Sequence, residues 1–458
     1  MDRLKVGIVG GGPGGLMTAY CLQKIAPVPY SATLFEASSR LGGKILTPQF
    51  DSAKARYEAG AAELYDYSPV DDDPLRDLVA ELGLSVCPMR GSAVIVNHRT
   101  LANLEDVRDA LGPNAREALA HFDRVAKDRI TPREFYNSNE PDASGPGLAA
   151  CHGFDSVLNE IPEPAARQFV ESMIHSDLAT EPKHTSAAYG LHNYLMNDPA
   201  YMELYSIEGG NERLPRELAA RLHATILLEC AVTEIAKADN HKLAVTSKQH
   251  GELRRDEFDF VVIALPNYFL PTLAFREARL TDAIRRHHAH YDHPAHYLRI
   301  TILFDRPFWH GLLNDSYWML DSFGGCCLYD ESSREPGSPH SVLGWLLAGE
   351  AARKMSELPD EQLIAEALDS LPDFLAHGRG HFREARVHRW VGAVSAMPGG
   401  VVQQPLDQRH QPEPVEHPNL FLVGDYLFDS TLNGVLDSAE YVAGWIGASM
   451  SENPREPA

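Results

Sequence analysis

The stretch that most limits how this 458-residue chain can fold lies at its start. Leu4-Lys-Val-Gly-Ile-Val9 is short, mostly apolar and β-branched, which suits a strand buried on both faces of a parallel sheet. Gly10-Gly-Gly12-Pro13-Gly14-Gly15 follows at once, and Leu16 to Ile25 carries apolar residues at helical spacing. Strand, glycine turn and helix in this order form a dinucleotide-binding pattern. Gly10 permits the tight turn, Gly12 lets backbone N–H groups approach a pyrophosphate, and Gly15 lets helix and strand pack closely. The helix N-terminus then faces the anion. Ala32-Thr-Leu-Phe-Glu36 reads as the second strand. It ends in a carboxylate roughly 20 residues past the turn, where a ribose hydroxyl needs an acceptor, and Glu36 argues against a 2′-phosphate there. A glycine pattern alone is weak evidence; strand, helix and acid in register make it specific.

The length exceeds what one hydrophobic core serves, so two closely joined domains are expected. With 64 acidic against 41 basic residues the formal charge is −23, which repels nucleic acid and anionic lipid. A small-molecule substrate is expected, with neither nucleic acid nor membrane as partner. Cys21, Cys87, Cys151, Cys230, Cys326 and Cys327 show no CxxC spacing, which argues against a zinc site or disulfide framework and for a reducing cytoplasm. Val6 to Val9 runs into the glycine turn rather than a cleavage site, and no 18-residue apolar stretch occurs. Residues 451–458 are polar and proline-broken, and read as a flexible tail.

Arg40-Leu-Gly42-Gly43-Lys44 distinguishes one kind of dinucleotide from another. Glu36-x-x-x-Arg40-x-Gly42-Gly43 resembles the second signature of the flavin amine oxidase and phytoene desaturase superfamily. There the arginine and glycines approach the flavin pyrophosphate and ribityl chain. Tyr57-Glu58-x-Gly60-Ala61 continues the resemblance, and Glu208 to Leu218 resembles the family's Gly-Gly-x-x-x-Leu segment. Ile226 to Glu234 is similar to the family strand whose backbone, here Val232, meets the adenine. Phe258 to Pro266, which includes Ala264, is similar to its buried parallel strand. At the far end Leu420 to Val423 reads as a strand, Gly424 as a turn, Asp425 as an acceptor at the strand's C-terminal end, and Asn433 to Ile446 as a helix. In the family this Gly-Asp pair binds the ribityl and pyrophosphate portion, and the helix start, here Asn433, Gly434 and Val435, lies beneath the isoalloxazine.

The resemblance implies an α/β chain: a Rossmann-like FAD-binding domain of the GR2 type, with an interleaved α+β substrate-binding domain. Residues 1–67, 205–275 and 385–450 would form the first, and 68–204 with 276–384 the second. Pro13, Gly14, Ala37, Lys44 and Ala62 join the implied cofactor contacts. Relatives that attach flavin covalently use a cysteine late in the chain, and the last one here is Cys327. FAD is therefore expected to bind noncovalently. A homodimer is compatible with all of this.

Between Ser68 and Tyr205 the pattern is mostly helical, clearest over Asp77–Leu84, Leu101–Lys127 and Ala165–Tyr194, with a linker-like Glu140–Gly147. Leu298–Trp309 reads as a strand. In much of the amine oxidase branch a lysine upstream of a Pro-Phe-Trp turn orders water at flavin N5. Here Pro307-Phe-Trp309 is present and the residue is Arg299. Arginine can hold that water but cannot act as a base; the other reading of Arg299 is an inter-strand ion pair. Trp390 is the aromatic neighbour of the Ala396–Gly400 stretch, which supplies no second ring, and Leu432 stands where monoamine oxidases place a tyrosine.

Three readings of the reaction follow. The first is oxidation of an amine or amino acid by hydride transfer to FAD, with Arg213, Arg386 or Arg389 as partner for an acidic substrate. The second is C–C desaturation of a biosynthetic substrate, and the third is a non-catalytic FAD-binding module. His287, His288, His290, His293 and His296 are read as a solvated helix face running into a loop rather than a metal site, with His290 or His296 available to the substrate pocket.

Overall fold

The computed structural model of the protein describes residues 3–91, 93–137, 152–335, 339–399, 401 and 404–452. A five-stranded parallel sheet runs in the order Leu420–Leu422, Phe260–Ile263, Leu4–Val9, Tyr30–Phe35, Ala224–Leu227. Val6, Ile8, Leu34, Val262 and Phe421 are completely or almost completely buried in it, as strands covered on both faces require. Because the strands are parallel, their C-terminal ends bring Gly10, Glu36, Ala264 and Gly424 to one edge. Helix Pro13–Ile25 packs against the last helix, Leu432–Glu452, and the two share a core of Leu16, Met17, Leu22, Leu436, Val442 and Ile446. The two ends of the chain are thus one structural unit.

A seven-stranded mixed sheet lies across from this edge. Its strand Pro294–Phe304 pairs antiparallel with Ser341–Ala348 on one side and Phe382–Ser395 on the other. Helix Pro164–Leu178 packs on the strands Val94–Val96, Tyr317–Leu320, Cys326–Asp330 and Ser341–Ala348. A three-stranded sheet of Leu64–Asp66, Glu203–Ile207 and Val86–Met89 completes that side.

Several boundaries differ from those expected. Ile226–Glu234 is two strands, because Glu229 takes a left-handed conformation (φ 53°) that redirects the chain. Ala224–Leu227 ends the parallel sheet, and Cys230–Lys237 enters a separate four-stranded sheet. Leu101–Lys127 breaks at Gly112-Pro113 into helices Leu104–Leu111 and Pro113–Arg129, since Gly112 (φ 97°) ends the first and Pro113 starts the second. Ala165–Tyr194 breaks at left-handed Ala179 and resumes at Ala187, where Ser186 Oγ accepts from the Tyr189 N–H. Asp77–Leu84 starts earlier, as Pro74–Glu81, because Asp73 caps it and proline fits the first turn. The last helix continues through Ser451 and Glu452, so the tail begins later than expected, and residues 453–458 lie outside the described residues. Glu140–Gly147 and Cys151 also lie outside them.

Candidate active site

The glycine turn is built by contacts that no side chain could share. A Cβ on Gly15 would sit 2.0 Å from the Gly10 carbonyl oxygen, and one on Gly10, at φ 111°, 2.5 Å from that of Ala264. Helix Pro13–Ile25 begins at Gly12 with no side-chain cap, so its leading N–H groups remain available to an anion. Gly43 (φ 53°) brings its backbone against Gly12: a Cβ there would lie 3.1 Å from the Gly12 Cα. Gly14 faces Val423, Ala264 and Val435, which joins the first turn to the C-terminal motif.

Glu36 is held beside this turn. Its Oε2 accepts from the Gly11 N–H at 2.8 Å, and its Oε1 from the Ser38 N–H and hydroxyl at 2.8 and 2.7 Å. Ala37 is exposed in the same bend. The Cys230 N–H donates to the Glu36 carbonyl at 2.8 Å, which brings the strand carrying Val232 next to the carboxylate. Arg40 lies against the following turn. Its guanidinium donates to the carbonyls of Leu41, Gly43 and Ile45, and so braces the Gly42-Gly43 turn.

Lys44 ties three segments together, with Nζ 2.8 Å from Asp425 Oδ2 and 2.9 Å from the Ala393 carbonyl. A Cβ on Gly60 would overlap the Lys44 carbonyl at 1.8 Å, so the Gly60-Ala61-Ala62 loop passes directly beneath. At the far end the Gly424 N–H donates to Ser438 Oγ at 3.2 Å. The last helix starts capped, because the Gly434 N–H donates to Thr431 Oγ1 at 3.1 Å and that hydroxyl donates to Asp429 at 2.6 Å.

Between these loops and the seven-stranded sheet lies a cavity of about 170 Å³. Lys44, Ala61, Asp425, Asn433 and Val435 form its nucleotide side, while Tyr65, Tyr297, Arg299 and Trp390 form the opposite wall, with Leu432 at their junction. Trp390 is fixed by its Nε1 donating to the Ala59 carbonyl at 2.6 Å. Tyr297 and Arg299 stand two apart on one strand and therefore share a face.

Arg299 is 0% exposed and hydrogen-bonds through Nη2 to Glu331 Oε1. Glu331 Oε2 is 2.9 Å from Arg334 Nε, and the two guanidinium groups lie 4.8 and 5.2 Å from the Tyr329 ring centre. Burial pushes the Glu331 carboxyl up, but Arg334 and Arg299 together hold it below its ordinary range. Neighbouring Glu58 is pushed up to about 7 by burial, against the pull of Arg334. His388 is held down to about 4 by burial and then by Arg299 and Arg386. Nε and Nη1 of Arg299 have no partner among the described residues, although the side chain lines the cavity. Of the two readings of Arg299, the ion pair is the one seen: Glu331, from another segment, holds it.

Residues 13–446 match the sequence family described as flavin containing amine oxidoreductase. The chain belongs to that family. Among solved structures, cyclohexylamine oxidase from Brevibacterium oxydans IH-35A is 20% identical and superposes with a TM-score of 0.77, covering 98% of this chain and 100% of that one. A putrescine oxidase bound to putrescine is 18% identical (TM-score 0.73, 97% and 99% covered). A putative protoporphyrinogen oxidase from Exiguobacterium sp. 255-15 is 17% identical (TM-score 0.71, 98% and 100%). At these identities the likeness establishes the fold.

The residues present fit the flavin that this family carries. An uncapped helix start, a fixed acid and two glycine backbones in contact are what a dinucleotide needs. Other expectations are corrected by the flavoprotein fold. Arg213, Arg386 and Arg389 are not at the cavity: Arg213 donates to the Glu208 carbonyl, Arg386 pairs with Asp51 and Glu384, and Arg389 with Asp360. The histidine segment is no solvated face. His287 is 3% exposed beneath Tyr291 and Tyr426, and burial holds it down to about 3. Neither His290 nor His296 lines the cavity, and His296 Nδ1 accepts from the Gly392 N–H at 3.0 Å. Among the described residues no three potential ligands converge on a metal position, and no helix is long and apolar enough to cross a membrane.

Aromatic partners for Trp390 do exist, but they come from elsewhere than the Ala396–Gly400 stretch. Tyr65, Tyr297 and the acid Glu63 were not legible as site residues. Two signals pointed to them: Glu63-Leu-Tyr65 directly follows the Gly60-Ala61-Ala62 loop, and Tyr297 is one strand repeat from Arg299.

Proposed function

We propose that the protein binds FAD noncovalently and oxidises the C–N bond of an amine or amino acid. The observation that carries this reading is the make-up of the cavity, a compact space of about 170 Å³ whose walls combine tyrosine and tryptophan rings with Lys44, Glu63, Arg299 and Asp425. A C–C desaturase acting on an apolar substrate calls for a large apolar tunnel instead. Gly12, Gly14, Gly15, Gly43, Gly424, Asp425, Asn433, Gly434 and Val435 would hold the pyrophosphate, ribityl and ring portions, with Glu36 on the ribose and Val232 and Ala264 beside the adenosine and sheet edge. Bound FAD supplies the hydride acceptor. The protein's own part is positional. Tyr65, Tyr297, Trp390 and Leu432 confine the substrate carbon and exclude water, and the spare donors of Arg299 hold a water molecule against the cavity. Because arginine stays protonated, the amine must arrive neutral at the reacting carbon without help from that residue.

Noncovalent attachment is supported by the buried position of Cys326 and Cys327 in a strand that does not line the cavity. The free thiols support a reducing, cytoplasmic setting. The cofactor domain is assigned to residues 1–67, 205–275 and 385–450, and the substrate domain to 68–204 and 276–384. Anaerobic mixing with a panel of primary and secondary amines and amino acids should bleach the flavin absorbance. If none does so, amine oxidation is not the reaction.

A further inference from the structure

The wall that carries Tyr297 hangs on the end of helix Pro164–Leu178. The Tyr297 hydroxyl donates to the Ser176 carbonyl at 2.8 Å, and the N–H of the preceding residue, His296, donates to the Ala179 carbonyl at 3.0 Å. Both acceptors lie where a helix end leaves carbonyls without partners inside the helix. The chain departs at Ala179 in a left-handed conformation (φ 56°), which an alanine keeps only where its surroundings hold it. The Gly349 N–H donates to the same Ala179 carbonyl at 3.2 Å. His296 accepts in turn from the Gly392 N–H, two residues past Trp390, at 3.0 Å. The strands bearing Tyr297, Arg299 and Trp390 are therefore anchored at this one helix end.

His175 and Glu181 clip that end from either side. His175 is 4% exposed, with Nε2 3.3 Å from each Glu181 carboxylate oxygen and Nδ1 2.9 Å from the Gly325 carbonyl oxygen. Glu181 also accepts from the Glu350 N–H at 2.9 Å, at the start of helix Gly349–Met355. Two glycines make the room: a Cβ on Gly349 would sit 2.5 Å from Glu181 Oε1, and one on Gly325 2.9 Å from the His175 Cβ. A carbonyl and an ionised carboxylate can only accept, so both ring nitrogens must donate, and a ring with two N–H groups is an imidazolium. Its place in the last helical turn favours that positive charge. Burial pulls the ring down, but Glu181 and then the Gly325 carbonyl hold it above its ordinary value. His175 in return brings Glu181 down to about 2. Around the pair stand Glu171 and Asp177 from the same helix, Lys183 from the next turn, and Glu350, itself paired with Arg353 and Lys354. His296 faces it from the strand, held down by burial, and the loop 322–325 brings no ionisable side chain.

We propose that His175, charged and clipped to Glu181, is the positioning residue for the Tyr297 wall of the cavity. The clip spans the segment whose carbonyls, at Ser176 and Ala179, hold Tyr297 and His296. His175 does not itself line the cavity, and it acts through Tyr297. A neutral ring would turn a lone pair toward either the Gly325 carbonyl or the Glu181 carboxylate. That repulsion opens the clip, the two carbonyls lose their set positions, and Tyr297 confines a bound molecule less closely. This holds whichever bond is oxidised in the cavity. Because the ring stands above its ordinary value, the clip is complete below about pH 6.5 and is lost as pH rises through the raised value. On the acid side Glu181 keeps it until pH falls toward about 2.

The test follows backbone amide exchange over residues 294–299 of the flavin-loaded protein by mass spectrometry, from about pH 6 to about pH 10, corrected for the intrinsic effect of pH on exchange. Protection of these amides should fall in one step as pH rises, while the parallel sheet stays protected. The near-isosteric Glu181→Gln removes the charge that holds the ring protonated, and should move the step down by about 1–3 pH units. His175→Gln should remove the step altogether, with flavin content and circular dichroism reporting the fold of each variant. A second readout uses 1-aminohexane as the probe. Where the clip is open in Glu181→Gln and closed in the unaltered protein, KM should rise about two- to tenfold, the worth of one hydrogen bond, with kcat changed less. The amine titrates alike with both proteins, so their ratio isolates the clip. In Tyr297→Phe the amide step should persist while KM no longer follows it. No step in the unaltered protein, a step that Glu181→Gln leaves in place, or a loss of protection spread over the whole chain would overturn the proposal. If the step behaves as expected and no amine is turned over, the clip stands and the amine-oxidising reading fails.

Discussion

The two sides of the cavity are held by different physics. The nucleotide side is shaped by backbone: Gly10, Gly15, Gly43 and Gly60 sit where a Cβ would strike a carbonyl, another main-chain atom or a helix start, and the donors of helix Pro13–Ile25 are left uncapped. The substrate side is shaped by buried charge: Arg299 and Arg334 share the one carboxylate of Glu331 beside Tyr329. The first arrangement tolerates no added atoms and leaves its polar groups free for a ligand. The second sets its charges against one another, and leaves Nε and Nη1 of Arg299 without a partner among the described residues.

Substitutions can break this contrast. Glu331→Ala leaves two guanidinium groups buried without their shared partner, and should lower stability by about 3–5 kcal/mol in denaturant titration. A shift below about 1 kcal/mol would mean that water already serves Arg299 and Arg334. On the other side, Gly15→Ala adds a single methyl group 2.0 Å from the Gly10 carbonyl oxygen. Forcing the helix off the strand should cost roughly 1–3 kcal/mol and deplete the purified protein of flavin, read from its visible absorbance. Flavin content equal to that of the unaltered protein would show that the turn has slack.

Glu36→Ala sharpens the comparison, because it removes the acceptor proposed for the ribose without crowding the turn. Losing a charge-assisted hydrogen bond of roughly 1.5–3 kcal/mol should weaken FAD about ten- to a hundredfold in equilibrium titration. At neutral pH the smallest effect is expected at His287, which belongs to neither side. Held down to about 3 by burial, it stays neutral in the folded state, while the unfolded chain takes up a proton below about 6.5. Stability therefore falls as pH drops from about 6.5 toward 3, by up to about 1.4 kcal/mol per pH unit from this group. His287→Phe should flatten that part of the pH profile and change stability near pH 8 only slightly. An unchanged acid slope would show that the ring is protonated in the folded protein.

Legibility in the sequence follows the same division. Gly10 to Gly15, Glu36, Gly42-Gly43 and Gly424-Asp425 could be read because each role depends on a few adjacent residues. The break at Glu229 could not, since a left-handed glutamate carries no glycine or asparagine signal. Histidines at a spacing of three looked like a wet helix face, yet Tyr426, distant in the chain, covers His287. That Arg40 also braces the turn after it, through the carbonyls of Leu41, Gly43 and Ile45, could not be read from spacing alone.

By itself the sequence determined the strand, turn and helix that prepare a dinucleotide site, and the return of the last segment to complete it. Steric exclusion at a Cβ and the polarity of a helix end are local properties, carried wherever those residues occur. Only the tertiary structure decided that Tyr65 and Tyr297 line one cavity with Trp390, and that Arg299 is spoken for by Glu331. A charge is paired or unpaired according to what packing brings within reach, and those partners come from strands and helices far apart in the chain.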